Sequence, residues 1–163
     1  MLRRRLLLLL ALPVALAGCD LGSGPGFEGN ITGPPETIDY AASVGVDLSR
    51  MTRTASGLYI EEIVVGGGAL AVDSGTAVVR YTGRLPNGRQ FDAGQLSAVL
   101  DGNSLIAGFN DGVIGMRVGG KRKLVIPPSL GYGSGGQGEI IPGNATLIFD
   151  IELLAATPPA GGD

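Results

Sequence analysis

Histidine is absent from this 163-residue chain. That excludes Ser-His-Asp and Cys-His nucleophilic catalysis, and any zinc site built on imidazole. Cysteine occurs once, at Cys19, so no disulfide can close within the chain. Charged residues make up only 17% and aromatic residues only 5%, with 12 basic against 15 acidic side chains. An acidic chain with so few aromatics lacks the basic footprint that nucleic-acid binding requires. Sparse charge beside 44% hydrophobic residues also does not fit a disordered chain.

What is present begins with an export segment. Met1 to Arg5 is cationic, Leu6 to Ala15 is apolar, and small residues lead to Cys19. That is signal-peptide anatomy, with an apolar run shorter than the roughly 20 residues of a spanning helix. Leu16-Ala17-Gly18-Cys19 resembles the bacterial lipobox, in which the Cys is acylated and becomes the first mature residue. The expectation is a protein of the bacterial cell envelope, lipid-anchored through Cys19 and facing outside the cytoplasm. Removing residues 1–18 would leave nine basic residues against 15 acidic ones.

The 29 Gly and 10 Pro residues punctuate short apolar runs, which suggests a turn-rich all-β or α+β domain. Residues 19–36 read as a lipidated Cys and flexible tether. Residues 37–56 are an extension whose Ile38, Tyr40, Val44, Val46 and Leu48 either dock on the domain or form a marginal helix. Residues 57–155 carry the domain, and 156–163 read as a disordered tail.

Within the domain, Leu58 to Ile63 alternates with strand period, and Ala77, Val79 and Tyr81 share one face of the next strand. Pro86-Asn87-Gly88 reads as a hairpin turn in which Asn-Gly takes positive φ angles. Leu105 to Ile114 reads as one short helix, capped by Asn103 or Ser104, with Gly112 loosening its end. Arg122 to Ile126 is a strand stopped by Pro127-Pro128, and Lys121-Arg122-Lys123 is expected as a solvated turn and strand edge. Leu147, Phe149, Ile151 and Leu153 line one face of the last strand. The predicted fold is α+β, an antiparallel sheet with one short α-helix. The glycine-rich stretch 131–138 lacks the Gly-Lys-Ser/Thr ending of a phosphate loop.

Four blocks, in order, resemble FKBP-type peptidyl-prolyl cis-trans isomerases. They are Val78-Val79-Arg80-Tyr81-Thr82-Gly83 through Phe91-Asp92, Leu105-Ile106 through Val118-Gly119, Ile126-Pro127 through Tyr132-Gly133, and Ile140-Ile141-Pro142 through Leu154. The resemblance implies a bent sheet wrapped around the helix, with an apolar pocket between them. It assigns catalytic positions to Tyr81, Phe91, Asp92, Phe109, Tyr132 and Phe149. Substrate-binding positions would be Leu105, Ile106, Ile140 and Ile141. Phe109 would form the floor, Tyr81, Phe91 and Phe149 the walls, and Asp92 the rim; Ile106 N–H and the Tyr132 hydroxyl would donate to substrate carbonyls. Leu96 stands where an aromatic is usual, so one wall is expected to be thinner, and Gln137 replaces a common loop His. No cofactor or metal is implied. The implied partners are proline-containing unfolded polypeptides, with macrolide inhibitors as competitors. Outside the motifs, Tyr81 and Phe149 read by default as core packing, and Asp92 reads equally as a turn cap; a pocket that binds without catalysing is the competing function.

Overall fold

The computed structural model describes residues 29–159. The expected signal segment, Cys19, the first part of the expected tether and residues 160–163 lie outside them. Six strands form one antiparallel sheet: β1 (Thr52–Arg53), β2 (Tyr59–Val64), β3 (Thr76–Arg84), β4 (Gln90–Val99), β5 (Lys121–Ile126) and β6 (Leu147–Thr157). Their spatial order is β1-β2-β5-β6-β3-β4. One α-helix, α1 (Ala107–Val113), lies against β5. The expected α+β architecture is the observed one.

Alternation explains how β6 serves two layers. Leu147, Phe149, Ile151 and Leu153 are buried on the face that meets α1. Asp150 and Glu152 point the other way and pair with Arg84 and Arg80, both at 2.8 Å. Beside β6, Leu124, Val125 and Ile126 are fully buried on β5, each worth about 1.5–3 kcal/mol of apolar transfer. Pro127 then ends β5, because it has no N–H to continue the ladder.

Two glycines set how closely α1 approaches the sheet. A β-carbon on Gly108 would lie 2.4 Å from Ile126 Cγ2, and one on Gly112 would lie 2.2 Å from Leu124 Cδ1. Gly112 is therefore a contact point of the helix, not a place where it loosens. The helix is also shorter than the predicted 105–114. Ile106 occupies its N-cap position with φ −60° and ψ 142° and no side-chain cap. Asn103 and Ser104 do not cap it; their N–H groups are taken by Asp101 Oδ1 at 2.9 and 3.1 Å.

The hairpin joining β3 to β4 differs from expectation in one angle. Gly88 has φ 88°, but Asn87 stays out of the left-handed region and accepts a hydrogen bond from Arg89 N–H instead. Gly88 N–H donates to Leu85 O at 2.9 Å, so this is a three-residue turn ending on a left-handed glycine.

The second face of the sheet is covered by the N-terminal extension, which docks and forms three short 3-10 turns, Pro35–Thr37, Ala42–Val44 and Leu48–Arg50. Val44 and Met51 pack on Tyr59, Val125 and Ile148. Residues 29–36, expected as tether, are bonded to the domain: Gly33 N–H donates to Asn144 O at 2.7 Å. The expected tail begins late, since β6 continues through Thr157. Lys121-Arg122-Lys123 is also not simply solvated. Lys123 is buried and donates to Val44 O at 2.8 Å and to Asp150 Oδ1 at 2.5 Å. Arg122 donates to Gly112 O and Ile114 O, tying the end of α1 to the sheet.

Candidate active site

The inner face of the sheet and α1 do not close completely on each other. Where β3 and β6 run beneath the helix, four aromatic rings meet. Phe109, carried by α1 and buried, lies 5.1 Å from Phe149 and 5.7 Å from Tyr81, edge-on to both. Phe149 in turn stands 5.5 Å from Phe91 at an interplanar angle of 83°. Edge-to-face rings in this range attract through their quadrupoles, by about 0.5–1.5 kcal/mol per pair beyond area burial. The cluster therefore keeps its shape without needing a ligand to hold it.

Above these rings is an open cavity of about 390 Å³. Its base and walls are Phe109, Tyr81, Phe91 and Phe149, with Leu96, Leu105 and Ile106 completing the apolar part. Asp92, Tyr132, Asn103 and Ser104 supply the polar rim. Small-molecule pockets run to about 300–1,000 Å³, so this one suits a single ring and the groups next to it.

Eight of the ten residues singled out in the sequence meet here; Ile140 and Ile141 do not. They line an adjoining recess of about 200 Å³, which shares Phe91, Asp92 and Tyr132 with the cavity. Ile140 is 52% exposed while Ile141 is buried. The loop holding them turns back on itself through the Gln137–Ile141 bridge, which carries it past the rim instead of over the rings. Arg89 from the β3–β4 hairpin donates to Ile140 O and fixes the loop from the other side.

The polar groups have distinct surroundings. Tyr81 Oη donates to Asp92 Oδ2 at 2.7 Å. Burial, followed by that bond and the Asp92 charge, pushes the Tyr81 hydroxyl up to about 12. Tyr132 is also raised, first by burial and then by the Asp92 charge. Its hydroxyl has no hydrogen-bond partner among the described residues, and neither has the Ile106 N–H. Both residues line the cavity, and both groups stay protonated donors at any ordinary pH.

One contributor escaped the sequence reading. Gly83 pairs with Asp92 on β4 and with Phe149 on β6. A β-carbon there would lie 2.6 Å from the Phe91 ring and 2.9 Å from Phe149. Only a residue without a side chain lets both rings lie over the strand. Asn103 and Ser104 were read as helix caps and instead line the rim; Leu96 lines the wall at the position expected of it.

The sequence and fold have counterparts among known proteins. A family model described as FKBP-type peptidyl-prolyl cis-trans isomerase matches residues 68–154. The FK506-binding protein of Neisseria meningitidis serogroup B is 46% identical over 103 residues, covering 60% of this chain and 94% of that one. A crystal structure of a peptidyl-prolyl cis-trans isomerase from Pseudomonas syringae pv. tomato aligns with a TM-score of 0.62 at 34% identity, covering 67% of this chain and 82% of that chain. FkpA from Escherichia coli aligns with a TM-score of 0.62 at 40% identity, covering 67% of this chain and 52% of that chain.

Proposed function

This chain belongs to the FKBP-type peptidyl-prolyl cis-trans isomerase family, and we propose that it performs that isomerisation on exported polypeptides, inside the aromatic cavity. Rotation about an X-Pro bond is opposed by amide resonance, with a barrier of about 18–20 kcal/mol. At the twisted transition state resonance is lost, so the carbonyl oxygen carries less negative charge than in the planar amide. Water solvates the planar form better. A dry, ring-lined cavity withdraws that solvation and binds the twisted form preferentially, which is the differential binding that catalysis requires.

Roles follow from position. The proline ring sits on Phe109, flanked by Tyr81, Phe91 and Phe149. The unpartnered Ile106 N–H and Tyr132 hydroxyl donate to carbonyls of the peptide. Asp92 is committed to Tyr81 and holds that wall in place instead of moving protons. The observation that carries the reading is the cluster Tyr81–Phe109–Phe149 opening onto a cavity instead of closing into core. FK506-type macrolides are expected to compete for the same space, since relatives bear that ligand in their names.

The cellular setting is part of the proposal. Leu16-Ala17-Gly18-Cys19 supports acylation of Cys19 and attachment to a bacterial membrane, outside the cytoplasm. Among the described residues no helix is long and apolar enough to cross a membrane. The test of function is cis-trans exchange of an Xaa-Pro peptide, which the chain should accelerate and a macrolide should suppress. Cys19→Ser followed by cell fractionation tests the anchor: unchanged membrane association would rule it out.

A further inference from the structure

We propose that residues 32–44 form a strap that positions Tyr132, which makes this N-terminal segment part of the working enzyme; the route rests on the role given to Tyr132 above. The strap is bonded to residues 144–146, which lead into β6 and are themselves bonded to the loop that carries Tyr132. Thr32 forms an antiparallel bridge with Ala145. Gly33 N–H donates to Asn144 O at 2.7 Å, and the buried Thr146 hydroxyl donates to Gly33 O at 2.7 Å. Asn144, itself at φ 58°, donates its N–H to Gly133 O at 2.8 Å. Gly133 follows Tyr132 directly. Two hydrogen bonds that share Asn144 therefore link the strap to the backbone next to Tyr132.

Two further attachments hold the strap itself. Ala41 N–H donates to Pro86 O at 2.9 Å, on the hairpin whose Arg89 grips Ile140 O. Val44 O accepts from the buried Lys123 Nζ at 2.8 Å. The loop from Gly131 to Gly138 contains five glycines and no strand. Such backbone has many conformations to lose, so its shape must come from outside bonds. One of those bonds is Asn144 N–H to Gly133 O, and the strap holds Asn144 through Gly33 N–H.

Gly33 is the point at which the strap can be released. Its φ of 119° is closed to other residues, and a β-carbon would lie 3.1 Å from Thr37 Oγ1. The test uses the full-length chain with Gly33→Ala, Tyr132→Phe and the two combined, in a peptide isomerisation assay that resolves kcat from KM. Gly33→Ala should lower kcat/KM about fivefold, mainly through KM, and should add nothing once Tyr132→Phe is present. Thr146→Val, which replaces one hydroxyl by a methyl group of similar size, should repeat this pattern and decides the matter if Gly33→Ala does not fold. Losses that multiply in the double variants, or wild-type kinetics in both strap variants, would overturn the inference. A Tyr132→Phe variant as active as wild type would instead remove the Tyr132 role, and the route with it.

Discussion

Tyr81 does two things at once: its ring stands 5.7 Å from Phe109 as a wall of the cavity, and its hydroxyl donates to Asp92 at 2.7 Å. The substitution Tyr81→Phe separates them. It keeps the wall and leaves Asp92 without its partner at the rim. A hydrogen bond to a charged group is worth about 1.5–3 kcal/mol, and partial exposure here puts the loss near the lower end. The urea midpoint should fall accordingly, and kcat/KM should drop about tenfold, as a 1.4 kcal/mol change in the barrier gives. Unchanged kinetics would show that the bond has no part in catalysis.

Gly83 provides a different kind of test, because it touches no substrate. Gly83→Ala drives a methyl group into Phe91 and Phe149. Overpacking of this sort costs about 1–3 kcal/mol, and the Phe91 ring, less buried than Phe149, is the one expected to move. Peptide affinity should weaken while the far-ultraviolet circular dichroism stays as in wild type. Full activity in a folded Gly83→Ala variant would mean that the Phe91 wall is dispensable.

These two residues also show how far the amino-acid order could be read. Tyr81 and Phe149 were legible because strand alternation puts each beside known core positions, Val79 in one case and Leu147 and Ile151 in the other. Gly83 was not, since its neighbours come from two other strands and nothing local marks them. The same reason hid the strap: Gly33 and Asn144 are far apart in the chain, and the glycine-rich composition of residues 29–36 looks like a tether. Helix capping failed at Asn103 and Ser104 because the helix begins only at Ala107, which puts Ile106 in the N-cap position. Ile140 and Ile141 were placed by motif alone, and the loop's own bridge diverts them to the neighbouring recess. Strand β4 was missed beyond Phe91, where its exposed edge lacks regular alternation.

All four tyrosines are raised above the usual phenol range. Burial dominates for Tyr40, Tyr81 and Tyr132, whereas for Tyr59 the first cause is its bond to Glu36. Since the folded chain binds these protons more tightly than the unfolded one, whose phenols titrate near 10, the linked stability is complete below about pH 10. It is lost as pH rises from there through about 12, where Tyr81 ionises. Absorbance titration of the native chain should show its tyrosinate rise displaced to higher pH than in urea, where all four phenols titrate near 10. Native and urea curves that coincide would contradict these surroundings.

The central claim is that shape and dryness, without proton transfer, turn the X-Pro bond. No histidine is present, and the cavity's tyrosines stay protonated well above neutrality. The decisive measurement is kcat/KM for an Xaa-Pro peptide, followed by exchange spectroscopy from pH 6 to pH 9. Acceleration should be flat across that range and lost in Phe109→Ala. A rate equal to buffer alone, or a bell-shaped profile reporting an acid and a base, would contradict it.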